Sequence, residues 1–267
     1  MAGVAKKTIA DEISETRRAI EDTLHNSYML DELSVERAKR KAIKYLGSVN
    51  TSANFRVVLH HEVAYLLALQ GKYFESMEHV AASAYWGLEP VASGFSTAHL
   101  SLINGQMLRA REVVDVSEFL NKVPPESRSL LAAIQMNIGA IEEAAKITGP
   151  EKSEYEHVGA ALKILNLLGE SDMELTKRLD TACRVIREHV NHPILGFKFF
   201  AMEGEGILYR FWVRASVEDV IDLNDKVLDA LMDNHDGPLD RELTICTTPW
   251  TADEKPNREE AYYVGIA

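Results

Sequence analysis

Nine histidines, two cysteines and several close carboxylates are the residues of this 267-residue chain whose chemistry invites inspection first. His60-His61-Glu62 begins like a zinc-protease helix. It lacks the second histidine four residues on, which alone would share the metal-binding face. His189 and His192, three apart near a helix end, can approach one metal ion, with Glu188 or Cys183 as the nearby third donor. A histidine near a helix C-terminus is equally favoured by the backbone dipole without any ligand. Glu203 and Glu205 flank Gly204 and have the side chains for acid-base work, but a solvated turn accounts for them. Cys246 with His235 is a conceivable nucleophile pair; in a strand where it alternates with Thr244 and Thr247, Cys246 reads as a core thiol. No G-x-S-x-G, G-x-x-x-x-G-K-[ST] or G-x-G-x-x-G occurs. The expectation is therefore no catalytic residue, no metal and no cofactor.

The elements that carry these residues are mostly helical in pattern. Ile9, Ile13, Ile20 and Leu24 recur at helical intervals among charged residues, an amphipathic stripe that must be buried against something. Ser34 is placed to cap a second helix bearing Arg37, Lys39, Arg40, Lys41 and Lys44, which Gly47 ends.

Between Asn54 and Pro193 the chain repeats itself. Gly71, Gly105 and Gly139 are spaced by 34 residues, each preceded seven residues earlier by an alanine, Ala64, Ala98 and Ala132. Pro90 and Pro124 share the period. Around the glycines stand AYLLALQGKYFESMEHVA, AHLSLINGQMLRAREVVD and AAIQMNIGAIEEAAKITG, in each case helix, glycine, helix. A glycine permits the left-handed residue that a tight reversal needs, and alanines let paired helices approach. A hairpin alone cannot bury its apolar face, so such units stack. A fourth unit around Gly169 is expected to cap the stack.

This segment resembles the tetratricopeptide-repeat family, of which it would be a divergent member. The resemblance implies a superhelical stack of helical hairpins with a concave groove for peptides or helices, and carries over no catalytic residue. The inner helix of each unit is then the first of its pair. Its polar and aromatic members, Asn54, Arg56, His60, Tyr65, His99, Asn104, Gln135 and Asn137, become the candidate binding residues.

After Pro193 the texture changes. GFKFFAMEGEG and ILYRFWVR read as two strands joined at Gly204-Glu205-Gly206, with Phe197 and Phe199 on one face and Phe200 on the other. Ser216 caps a helix whose inner face is read as Val217, Val220, Ile221, Val227, Leu228 and Leu231. LTICTTPW is a third strand. A polar TADEKPNREE precedes a final AYYVGIA. The expected architecture is mainly α: a tetratricopeptide-like helical-hairpin solenoid followed by a small α+β module, ββαβ on an antiparallel sheet. Its segments are 1–50 (N-terminal helical), 51–193 (repeats) and 194–267 (the module and tail).

Apolar residues make up 46% of the chain, enough for a substantial core, and the net charge of −12 disfavours nucleic acid and acidic membrane faces while favouring a basic partner. Acidic residues follow Lys6 and Lys7 where a secretory signal would be apolar, and no stretch of eighteen apolar residues occurs. The expectation is a cytoplasmic protein-interaction protein of the adaptor, chaperone or immunity kind, whose acidic helical-repeat groove holds a cationic peptide or protein. The alternative is a C-terminal module that binds a small molecule or acts as an enzyme, scaffolded by the repeats. A homo-oligomer, joined through the first helix or the hairpin edge, is a third possibility.

Overall fold

The computed structural model describes residues 8–48, 52–114, 117–148 and 156–251. The polar stretch and AYYVGIA beyond residue 251, and Lys6 and Lys7, lie outside them. The chain is mainly helical with one small sheet near its C-terminal end. Among the described residues no helix is long and apolar enough to cross a membrane. Contacts group the chain into two compact units, Met1–Ser96 and Thr97–Ala267. The division falls inside the fifth helix, α5 (Pro90–Ile103).

The first unit contains α1 (Ile9–Ser27), α2 (Glu32–Leu46), α3 (Ala53–Leu69) and α4 (Tyr73–Trp86). Thr8 opens α1 in a reciprocal capping box with Asp11, which satisfies backbone donors that the first turn leaves free. Asp31, not the expected Ser34, caps α2: its carboxylate accepts the Ser34 amide at 3.0 Å, so Ser34 supplies the donor instead. The α1 stripe is buried, with Ile13, Ala42, Leu59, Val63 and Leu67 forming a core among α1, α2 and α3. α3 is apolar nearly all round because α1, α2 and α4 all pack on it.

A buried ion network crosses this core. The Arg17 Nε donates to Glu62 at 2.6 Å and its Nη1 to Glu21 at 2.5 Å, while the guanidinium lies 4.8 Å over the ring of Tyr65. Burial alone would push the Glu62 carboxyl up. The His61 ring 3.9 Å away, the charge and hydrogen bond of Arg17 and the Ser14 hydroxyl outweigh it and hold the carboxyl at about 2.

The repeat glycines sit where the spacing predicts. Gly71, Gly105, Gly139 and Gly169 have φ between 70° and 77°. Each donates its amide to the carbonyl three residues back, and the next residue donates to the carbonyl five back. This pair of bonds closes a helix on a left-handed residue, made four times over.

In the second unit, α5 leads through Gly105 to α6 (Met107–Val114), followed by α7 (Ser117–Lys122), α8 (Arg128–Asn137) and α9 (Ile141–Thr148). Then come α10 (Glu156–Leu168) and α11 (Asp172–His189). The fourth unit departs from a hairpin: α10 takes α9 and the sheet as neighbours, and α11 takes α6 and α12 (Val217–Asn234). α11 instead runs across the turns of the two preceding units. A Cβ on Gly105 would stand 2.5 Å from the Cys183 carbonyl oxygen; one on Gly139 would meet Leu175 and Leu179.

The same helix caps its neighbours. Asp180 accepts the Leu108 amide at 3.0 Å at the start of α6, and Asp172 accepts the Glu142 amide at 2.8 Å at the start of α9. Leu108 and Glu142 are one 34-residue period apart. Their caps are eight residues apart on α11, about 12 Å along its axis. Arg111 on α6 completes the junction, bonding Thr176 and Asp172 at 2.7 Å each.

The sheet has the order β1-β2-β3, from β1 (Phe197–Met202), β2 (Gly206–Val213) and β3 (Leu243–Pro249). β1 and β2 form the expected antiparallel hairpin, with Phe197 opposite Phe211. β3 runs parallel to β2, with Ile207 opposite Leu243, so the sheet is mixed where an antiparallel one was expected. The physical reason is the intervening α12, long enough to carry the chain back to the starting end.

Candidate functional site

Four of the eight candidate binding residues are consumed in packing. Tyr65, Asn104, Gln135 and Asn137 are buried. Tyr65 lies between Arg17 and the His61 ring, 4.8 Å away between centroids. Asn104 and Asn137 donate to the carbonyls of Leu100 and Ala133, one turn back on their own helices. None of the four is available to a groove. Helical spacing picks out polar residues but cannot tell a solvent face from one covered by a neighbouring helix.

Asn54 is exposed, and Arg56, His60 and His99 are half-buried. Arg56 donates to the carbonyls of Leu46 and Ser48 at 3.3 Å each and lies 4.9 Å over the Trp86 ring. The His60 Nδ1 is 3.0 Å from the His79 Nδ1, across the hairpin of α3 and α4. Burial lowers the pKa of both imidazoles.

The histidine and cysteine groupings resolve into structure. His192 is buried; its Nδ1 lies 2.8 Å from the Pro193 carbonyl and its Nε2 accepts the Arg214 amide at 3.0 Å. Burial drives it down to about 4, fixing it neutral, while His189 bonds the Val185 carbonyl at 2.8 Å. The His235 ring faces Thr181 and Glu174 on α11, so both its nitrogens are engaged away from Cys246. Burial pushes both thiols up; Cys183 is a core cysteine, whereas Cys246, expected in the core, is only half-buried. Of the hairpin aromatics Phe197, Tyr209, Phe211 and Trp212 are buried and Phe199 and Phe200 half-buried: Phe197 and Phe199 pack on Tyr209, whose hydroxyl donates to the Met136 carbonyl at 2.9 Å, and Phe200 faces His157.

What the sequence reading missed lies on α12. Val220, Leu223 and Val227 are its buried face. Val217, Ile221 and Leu228, expected on that face, are exposed, and with Met232 they stand between 54% and 72% open to solvent. At 100° per residue these four fall on one stripe. Glu218, Asp222, Asp225, Asp229 and Asp233, all exposed, line one flank of it. The helix is set by Asn224, which accepts the Thr247 amide at 2.6 Å and donates to the Thr247 carbonyl at 3.1 Å, copying a strand partner for β3. A signal existed in the sequence: α12 carries more apolar residues than one narrow face can bury.

No known protein family, curated protein or solved structure matches this chain.

Proposed function

We propose that the protein is a non-enzymatic binding protein of the cytoplasm, built on a tetratricopeptide-like scaffold of helical hairpins, that holds a cationic peptide or protein on the exposed face of α12, as an adaptor, chaperone or immunity-type protein does. The observation that carries this reading is the α12 surface: an apolar stripe flanked by carboxylates, in a chain of net charge −12. The stripe gives a partner helix an apolar seat. The acidic flank favours lysine and arginine beside that seat and disfavours a second acidic copy of the chain. The turns at Gly71 and Gly139, whose flanking helices pack on each other, support the hairpin scaffold.

Titrating the full chain with a labelled amphipathic Leu/Lys helix of about 18 residues, as long as α12, and with its Leu/Glu counterpart tests the reading. Binding of the lysine peptide alone, weakened by salt and by Ile221→Ser with Leu228→Ser, is the expected result. Equal binding of both peptides, or none, would sink it. Loss on changing Asn54, Arg56 or His60 instead would move the site to the first hairpin.

A further inference from the structure

The pairing of His60 and His79 carries a consequence that the binding function does not use. His60 stands on α3 and His79 on α4, and the turn at Gly71 brings the two helices together antiparallel. The Val57 carbonyl accepts the Ser83 hydroxyl at 2.8 Å on the neighbouring rung, which fixes the helix register beside the histidines. The two Nδ1 atoms are 3.0 Å apart, with ring centroids at 5.0 Å and ring planes tilted by 44°.

Two imidazole nitrogens bound to one transition-metal ion at about 2.0–2.1 Å each, with an angle between about 90° and 110°, lie roughly 2.9–3.4 Å apart. The observed separation is inside that range. We propose that His60 and His79 form a bidentate site for a divalent transition-metal ion, tightest for Cu2+, that clips α3 to α4. Copper heads the order for imidazole donors, with Ni2+ and Zn2+ behind it. Water fills the remaining positions: among the described residues no three His, Cys, Asp or Glu side chains converge on one point.

The chemistry balances without an added reagent. In the metal-free pair one Nδ1–H donates to the other Nδ1. Binding requires the donating ring to carry its proton on Nε2 instead, so that both Nδ1 lone pairs meet the ion; between neutral imidazoles no net proton is released. Burial and the charges of His79 and Arg56 lower His60, and burial lowers His79 against the opposing charge of Glu75. Arg56 has its guanidinium directed to Leu46, Ser48 and Trp86. Because the ion binds only the folded hairpin, it adds to stability by mass action.

Calorimetric titration of the full chain with CuCl2, NiCl2 and ZnCl2 at pH 7.5 tests the site. One Cu2+ per chain is expected, with affinity falling at least about tenfold in His60→Ala and in His79→Ala and unchanged in His189→Ala, which alters an exposed histidine. Electron paramagnetic resonance of the native chain with one equivalent of Cu2+ should show two imidazole nitrogens, a readout that needs no variant to fold. Copper retained in both His60 and His79 variants, a different nitrogen count, or no stoichiometric uptake would each overturn the proposal.

Discussion

Asp172 accepts the backbone amide of Glu142 at 2.8 Å, so the first turn of α9 is capped by a carboxylate that belongs to α11. The other oxygen of the same group takes Arg111 at 2.7 Å, and both side chains of that pair are nearly inaccessible. Removing Asp172 therefore leaves a buried guanidinium uncompensated as well as an amide uncapped. Asp172→Ala is expected to cost on the order of 3 kcal/mol in denaturant unfolding. Asp180→Ala should cost nearer 1 kcal/mol, because its cation Arg184 has a side chain 52% exposed and can turn to water. Equal losses would contradict this ordering.

The repeat glycines separate two effects that usually coincide. At Gly169 nothing lies within 4 Å of an added Cβ, so Gly169→Ala carries only the left-handed backbone penalty, about 1 kcal/mol. At Gly139 the methyl also meets the movable side chains of Leu175 and Leu179. At Gly105 it meets the backbone carbonyl of Cys183, which can yield only if α11 shifts. Thermal melts should rank the alanine variants Gly105 as most damaged, then Gly139, then Gly169. The reverse order would mean that α11 does not press on the turns.

Acid should weaken the protein in two separate windows. His192 is held down to about 4 from an ordinary 6.5, so in the range between these values the unfolded chain binds the extra proton and stability falls as pH falls. The contribution lost between pH 7.5 and pH 5 is about 2 kcal/mol. His60 and His79, also lowered, add to the same slope. Glu62 acts below that: with its carboxyl at about 2, its contribution is present above about 4.5 and disappears as pH falls toward 2. Urea midpoints measured from pH 8 to pH 3 should show the first slope reduced in His192→Gln and the second retained.

Asn224 predicts a local effect. With its side chain gone, the Thr247 amide and hydroxyl lose the acceptor they share at 2.6 Å and 2.9 Å. Asn224→Ala should cost about 1–2 kcal/mol. Amide exchange should quicken along β3 while the β1–β2 hairpin keeps its protection. Uniform quickening of all three strands would show that the clamp serves the whole sheet.

The features legible in the sequence are those whose causes lie within a few residues. Gly71, Gly105 and Gly139 announce their turns because the left-handed residue and its two hydrogen bonds are local, and Ser216 announces α12 through the Asp219 amide three residues on. At the start of α2 both Asp31 and Ser34 have capping chemistry, and only the backbone decides between acceptor and donor. The contacts that give α11 its position span far more chain, from Leu108 to Asp180 and from Arg111 to Thr176, and leave no periodic trace. The direction of β3 depends on where α12 delivers the chain. The candidate site suffered most, because burial of Asn104, Gln135 and Asn137 is a property of neighbouring helices rather than of their own spacing.

Because α11 touches two turns with one rigid rod, its residue count is a ruler. Asp172 and Asp180 reach their amides only if the eight-residue step from one to the other completes a little over two turns of helix. Deleting one residue from that stretch rotates one carboxylate by about 100° relative to the other, so a single seat remains filled. The connection between α6 and α8, by contrast, includes the short helix α7 and supplies neither cap. A change of length is therefore tolerated in that connection and not between Asp172 and Asp180 of α11.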